Sequence, residues 1–358
     1  MIVSQKPTSL SSETQTMMRR AIVEPLNGVR VEDAPVPAPT NDLVLVRSSL
    51  VGICGSDTHA LAGHHPFLNA TYAPGHEAVG TVAALGPEAR GVEIGQRVIL
   101  KPNVACGRCD NCRADRTNAC ANLTWIGCDP SQSWSGAMAT EFVAPAKNLF
   151  AVPERMDDRT AVLVECLATP VHAVRIAGDL TGAHVVVLGA GTIGVLCIIA
   201  ALAAGAKSVV VTDMDEGKLQ RALRVGAHGA VLASAADVNE QVLRALANPT
   251  ADVVLDCVAN ERSFAQSVAL LRRAGTLVVV GVPARDASLP MPLVQDWEIR
   301  VQGSAAYTDA DVLTAIHIAA RGGLPADEIV SQVFDLEHVA DAFAAATYDS
   351  SGKVLILP

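Results

Sequence analysis

Aromatic residues are scarce in this chain: three Trp, three Tyr and six Phe among 358 residues. Half of the residues are nevertheless apolar, so the cores must be built mostly from aliphatic side chains. Basic clusters are missing as well. The 27 Lys and Arg stand against 37 Asp and Glu, a net charge of −10, and no Lys/Arg run gathers locally. Such a chain is a poor partner for nucleic acid or for an anionic membrane surface. Residues 1–20 (MIVSQKPTSLSSETQTMMRR) contain no continuous apolar run, so no secretory signal is expected and the expected location is the cytoplasm. One segment, Val185–Ala206, is long enough for a membrane span. Gly189, Gly191 and Gly194 interrupt it and a charged, turn-rich sequence follows. The expectation is a buried strand, a glycine turn and a buried helix. With 18% charged residues the composition is not that of a disordered chain, and the length suggests two domains.

The nine cysteines are an odd number in a chain too large to need a disulfide scaffold. Four of them, Cys106, Cys109, Cys112 and Cys120, are spaced C-x2-C-x2-C-x7-C. Four thiolates so close in sequence can wrap one tetrahedral Zn²⁺. A four-sulfur site is closed and leaves no coordination position for chemistry. This loop therefore predicts a structural zinc, and any catalytic metal must be sought elsewhere.

Residues 1–18 read as a flexible tail. From Arg20 to Leu100, short alternating apolar runs such as Leu43–Val46 and Val92–Leu100 are punctuated by Pro, Gly, Asn and Asp, which predicts antiparallel β structure. More β-like segments follow the cysteine loop up to Val152. The texture changes near Thr160. Predicted strands His184–Leu188, Ser208–Thr212, Val253–Asp256 and Thr276–Val280 alternate with helical stretches at Ile193–Ala204, Glu216–Val225 and Val238–Ala247. This β-α-β rhythm means an α/β fold with a doubly wound parallel sheet. A helix at Asp309–Ala320 and a strand at Lys353–Leu357 close the chain.

Gly189-Ala190-Gly191-Thr192-Ile193-Gly194 is G-x-G-x-x-G between a predicted strand and a predicted helix. The first glycine makes the tight turn, the second lets the backbone approach a pyrophosphate, and the third lets helix and strand pack. Thr192 and Ile193 open the helix, whose free N–H groups face the phosphates. Asp213 ends the next strand, 19 residues past Gly194. An acid there accepts hydrogen bonds from the ribose and repels a 2′-phosphate, so NAD is expected rather than NADP. Asp215 is placed to cap the following helix. Lys218, one turn further on, is within reach of the ribose.

Three further places carry ligand-type residues: Cys54 in Gly52–His59, His76 in Pro74–Gly80, and Glu165 in Val164–Thr169. A catalytic zinc needs three protein ligands and one open position. These residues offer sulfur, nitrogen and oxygen, but their spacing does not show that they meet. Each also has a plain reading, as a small apolar filler, a hydrogen-bonded His or a salt-bridge partner.

The chain resembles the zinc-dependent medium-chain alcohol dehydrogenases, near the sorbitol and threonine dehydrogenase branch, from about residue 20 onward. Gly75, His76, Glu77, Gly80 and Gly86 match the family's G-H-E-x2-G-x5-G signature, and Cys54–His59 match its Cys-Gly-Ser-Asp-x-His segment. The four-cysteine lobe and the glycine fingerprint follow in the family's order. The resemblance implies a GroES-like catalytic domain (19–166 plus 306–358, with the zinc lobe at about 102–122) and a Rossmann NAD-binding domain (167–305). It implies two zinc ions per chain, NAD, and hydride transfer to or from a secondary alcohol or polyol, or the matching ketone. Cys54 and His76 are then ligands of the catalytic zinc. Glu165 is the third, although Cys166 replaces the Pro of the polyol branch's Glu-Pro-Leu and competes as a ligand. Glu77 lies just behind the metal, able to enter as a ligand, and Asp57 orients His76. Ser56 and His59 form a proton relay through the nicotinamide ribose. Thr169 lies near the nicotinamide, Val280, Gly281 and Val282 line the cofactor, and Lys353 reaches the pyrophosphate. Tyr307 matches half of an Arg-Tyr pair that grips polyols, but Ala306 replaces the Arg, which speaks against sorbitol itself. Trp125 and Trp134 are candidates for cleft walls and equally for core. A homodimer or homotetramer is implied, with contacts around residues 276–305. Two alternatives remain. A zinc-independent quinone or enoyl reductase of the same fold would lack the lobe and the Cys-His pair. A non-catalytic zinc- and NAD-binding regulator would have no need of the relay.

Overall fold

Alternating apolar residues build the N-terminal half into antiparallel β structure. The computed structural model describes residues 16–129, 133–283, 285–348 and 352–358. Strand β1 (Met17–Glu24) pairs with β2 (Gly28–Pro35). Met17 and Met18, expected in the tail, belong to this strand, and the tail's residues 1–15 lie outside the described residues. Then come β3 (Leu43–Gly52), helix α1 (Gly55–Leu61), β4 (Glu77–Leu85), β5 (Arg97–Leu100), β6 (Asn103–Val104), the short helix α2 (Asp110–Arg113), β7 (Thr124–Trp125), β8 (Glu141–Pro145) and β9 (Leu149–Ala151). The expected strand at Val92–Leu100 begins only at Arg97. Gly91 and Gly95 take positive φ of 82° and 86° and turn the chain before it.

Helix α3 (Asp158–Ala177) starts on Asp157, whose carboxylate accepts from the Thr160 N–H at 2.7 Å. It is buried on most of its surface and packs against helices of the second half and strands of the first. Its 20 residues are long and apolar enough to cross a membrane, yet they lie inside the molecule. The sequence marks this region only by a change of texture, because a helix buried all round loses the one-sided apolar stripe that identifies amphipathic helices. α3 also runs across the domain boundary drawn at 166/167.

The second half alternates β10 (His184–Leu188), α4 (Thr192–Ala203), β11 (Ser208–Asp213), α5 (Glu216–Arg224), β12 (Gly229–Leu232), α6 (Val238–Leu246), β13 (Ala251–Asp256), α7 (Glu261–Leu270), β14 (Leu271–Val279), α8 (Met291–Asp296) and β15 (Arg300–Gly303). The six strands form a parallel sheet in the order β12-β11-β10-β13-β14-β15. Along β10, Val185 and Val187 face one aliphatic core with α3 and α4, and Val186 and Leu188 face another with α7. The chain winds outward from β10 to β12 and then crosses to β13 on the other side. This reversal opens a crevice at the carboxyl ends of β10 and β13, where such sheets bind nucleotides. The glycine turn leads out of that end of β10.

Helix α9 (Asp309–Ala320), helix α10 (Ala326–Ile329), β16 (Val330–Asp335), helix α11 (Val339–Tyr348) and β17 (Lys353–Leu357) complete the chain. β17 runs antiparallel to β3, returning the C-terminus to the first sheet in the order β16-β17-β3-β4-β5-β9, with β8 also on β3.

Candidate active site

The four lobe cysteines converge. Their sulfurs lie within 4.8 Å of one another, with Cys109 Sγ 3.5 Å from Cys112 Sγ and 3.9 Å from Cys120 Sγ. A tetrahedral zinc with Zn–S bonds of about 2.3 Å requires S···S separations of about 3.8 Å, so the donor set fits that ion. The N–H groups of Cys106 and Asn122 both donate to Cys120 Sγ at 3.3 Å. Backbone N–H groups of Arg108 and Cys109 pull the Cys106 thiol down to about 6, whereas burial pushes Cys112 up to about 12. No lobe cysteine is in a disulfide.

A second donor set gathers where the end of β3 meets the start of β4 in the first sheet. Cys54 caps the start of α1, and the donor atoms of Cys54, His76 and Glu77 lie within 4.8 Å of one another. Gly52 makes room for this: a Cβ there would sit 2.0 Å from Glu77 Oε2. Glu77 also belongs to a second group, with Glu165 and Cys166 of α3. Cys54, His76 and Glu165 are thus joined through Glu77. The carboxylate grouped with both that sulfur and that imidazole is Glu77, which the sequence placed behind the metal.

Several contacts correct expectations. Lys353 does not extend to a pyrophosphate. It is buried, with its Nζ 2.6 Å from both Glu77 oxygens and 3.1 Å from the Ile53 carbonyl. Burial alone would raise the Glu77 pKa, but the Lys353 ammonium outweighs it and the carboxyl is held below its ordinary value. Asp57 is not the nearest partner of His76: its Oδ2 is 3.9 Å from Nδ1. Its oxygens are engaged by the Tyr72 hydroxyl at 2.8 Å and the Cys54 N–H at 3.1 Å. The group against His76 Nδ1 is Cys128 Sγ, at 2.8 Å. The sequence reading missed Cys128, a single cysteine in an irregular loop with no motif around it.

Glu165 is buried, accepts from the buried Tyr307 hydroxyl, and is pushed up to about 7 by burial. Thr169 lies one turn beyond Glu165 on α3 and is half-buried. Pro170, inside the helix, supplies no N–H to the Cys166 carbonyl one turn back. Ser56 and His59 are three residues apart on α1, half-buried and exposed respectively, a spacing that puts them on one face. His65 accepts from the N–H groups of Phe67 and Leu68, as a loop-holding residue does. Trp134 packs on the core of the first sheet, with Val46, Val98 and Phe142, and donates to Thr124 Oγ1 at 3.1 Å, while Trp125 pairs with Asn103 in the small β6–β7 ribbon.

At the glycine turn, Gly189 has φ of 91°, and a Cβ on Gly194 would meet the Gly189 carbonyl oxygen at 1.8 Å. Gly191 caps α4, and Thr192 and Ile193 are its first residues. Asp213, at the end of β11, accepts from the Ala190 N–H at 2.7 Å and from the Asp215 N–H at 3.0 Å. Asp215 accepts from the Lys218 N–H, so it caps α5 as expected. The buried Arg221 donates to the Ala190 carbonyl at 3.2 Å and braces the turn from α5, a contact that the sequence did not mark. Val280, Gly281 and Val282 follow directly on β14, with Val282 exposed.

Comparison with known proteins places the chain in a family. Residues 40–154 match the family model of the alcohol dehydrogenase GroES-like domain, and residues 192–321 match that of the zinc-binding dehydrogenase. The chain is 31% identical to "Probable D-xylulose reductase A" of Arthroderma otae over 94% of its own length and 96% of the relative's. The chain belongs to the zinc-dependent medium-chain alcohol dehydrogenase family. Two solved structures share the fold of this dehydrogenase. One is a "putative zinc-binding dehydrogenase" of Sinorhizobium meliloti 1021 bound to NADP (TM-score 0.89, 31% identity, covering 96% of this chain and 100% of the other). The other is a short chain alcohol dehydrogenase of E. coli CFT073 complexed with NADH (TM-score 0.88, 26% identity, covering 96% and 99%). The dehydrogenase is accordingly an oxidoreductase of a zinc- and NAD(P)-using family.

Proposed function

We propose that this dehydrogenase transfers a hydride between a secondary alcohol or polyol, or the matching ketone, and NAD, with two zinc ions per chain. The observation that carries the reading is the mixed sulfur, nitrogen and oxygen donor set of Cys54, His76 and Glu77, separate from the all-sulfur lobe. A zinc held by Cys54 and His76 would supply Lewis-acid polarisation of an alcohol oxygen, and a nicotinamide at the glycine turn would supply the hydride acceptor. Cys54 and His76 hold the ion. Glu77 joins them to the extent that Lys353 releases it, and Glu165 and Cys166 border the same space. Ser56 and His59 carry the released proton outward along one face of α1, with His59 exposed at its end. Thr169 and Val280–Val282 flank the nicotinamide. Asp213 favours NAD, since a 2′-phosphate would face its carboxylate. Lys218 reaches the ribose from α5.

The same reading makes residues 19–166 and 306–358 the catalytic domain and 167–305 the NAD domain. The return of β17 to β3 supports that split. β15 is exposed along its whole length at the edge of the parallel sheet, beside exposed Met291 and Leu293. An open edge of that kind supports pairing with a second copy, in a homodimer or homotetramer. The nine free thiols support a reducing, cytoplasmic setting.

An NAD-reduction assay across secondary alcohols, polyols and amino-alcohols tests the proposal. At least one should yield NADH, with NAD preferred over NADP and the preference weakened by Asp213→Ser. No NADH from any of them, with both zincs bound, would favour the regulator.

A further inference from the structure

The four-cysteine lobe touches the neighbourhood of Glu165 from a distance. Asn103, at the lobe's entry, donates Nδ2 to the Tyr307 carbonyl at 2.8 Å. Asn118, two residues before Cys120, donates Nδ2 to the Ala305 carbonyl at 2.9 Å. Lys101 forms an ion pair with Asp309. These contacts bracket Ala306, whose φ of 51° lies in the left-handed region. An L-residue there is strained, and such a conformation persists only where its surroundings hold it. The bracketed segment presents Tyr307, and the Tyr307 hydroxyl donates to Glu165.

The other partner of that bond is held by the same lobe. Asn118 Nδ2 also lies 3.3 Å from Nε2 of His172, two helical turns beyond Glu165 on α3. His172 Nδ1 is 2.9 Å from Asp311 Oδ2, and Asp311 also accepts from Arg175 and from the Thr308 N–H at the start of α9. Nδ1 of the ring faces Asp311 and the Arg175 guanidinium, which lies 3.0 Å away, while Nε2 faces Asn118. One asparagine side chain thus touches both the 305–309 segment and α3.

We propose that the four-cysteine lobe is a positioning element for the reaction: through Asn118 and Asn103 it sets the 305–309 segment against α3 and so seats the Tyr307 hydroxyl on Glu165. The catalytic consequence rests on the dehydrogenase reading above, whereas the seating of Tyr307 does not. The lobe's zinc shapes the scaffold that carries the two asparagines, and they pass that shape to the site.

The test compares Asn118→Ala and Asn103→Ala, each alone and combined with Tyr307→Phe, by kinetics, zinc content and NMR of ring-labelled tyrosine. The chain has three tyrosines, and the Tyr307 signal is the one lost in Tyr307→Phe. Asn118→Ala should keep both zincs, shift or broaden the Tyr307 signal, and lower kcat by about 10-fold with the KM for NAD unchanged. In the Tyr307→Phe background it should add nothing further. Asn118 is only half-buried, so its variant remains informative even where Asn103→Ala does not fold. An unmoved Tyr307 signal in Asn118→Ala, or kinetic losses that multiply in the double variant, would overturn the proposal. If the wild type reduces no NAD with any alcohol, the dehydrogenase reading falls, and the Tyr307 signal still decides the seating.

Discussion

His76 is the residue on which the site turns. It belongs to two groups at once, one with Cys54 and Glu77 and one with Cys128 and Asp57, and its Nδ1 meets Cys128. A metal-ligating imidazole is oriented by whatever its second nitrogen meets, and loss of that partner weakens metal binding by roughly 10–100-fold. Cys128→Ala should therefore lower zinc affinity at the mixed site by that factor in a chelator competition, with the lobe zinc unaffected; equal affinity would return the orienting role to Asp57. Lys353 gives a second prediction. It is buried against a buried Glu77, and removing one member of such a pair destabilises by about 3–5 kcal/mol. Lys353→Met should show that loss in denaturant unfolding, and adding Glu77→Gln should recover part of it. Neither contact could be read from the sequence. The Lys353–Glu77 pair is 276 residues apart along the chain, and Cys128 and His76 are 52 apart. Cys54, His76 and Glu77 were legible because each stands inside a short glycine-bounded motif.

At the scale of elements, the glycine turn was the most legible part, since its strand, turn and helix are consecutive and its constraints are local. Gly194→Ala places a Cβ 1.8 Å from the Gly189 carbonyl oxygen. Overpacking of that kind destabilises by about 1–3 kcal/mol, and calorimetry should show NAD affinity falling with it. Full affinity would mean that the turn relaxes. Helix α3 was the least legible, because its burial comes from elements distant in sequence. Its link to α9 gives a pH prediction. Asp311 is fully buried; burial alone would raise its carboxyl, but His172, Arg175 and Thr308 together hold it well below its ordinary value of 3.8. A depressed carboxyl contributes stability that is complete above the unfolded pKa and is lost as pH falls through the folded one. Asp311→Asn should therefore reduce stability at neutral pH and flatten its decline below about pH 4, as followed by thermal unfolding. A decline of unchanged steepness would assign the acid sensitivity to other carboxylates.

For the whole molecule, the alternation of strands and helices in the second half and the short strands of the first set the two-part architecture in advance. The return of β17 to the first sheet followed from resemblance, since no local pattern says where a C-terminal strand will pair. The account as a whole depends on two different metal environments in one chain, one closed by four sulfurs and one mixed and open. Zinc analysis before and after brief chelation, with NADH formation followed on the same samples, tests this most directly. The account predicts two zinc ions per chain, one leaving readily and taking the activity with it, and activity returning when zinc is restored. One zinc per chain, with activity indifferent to the chelator, would contradict it.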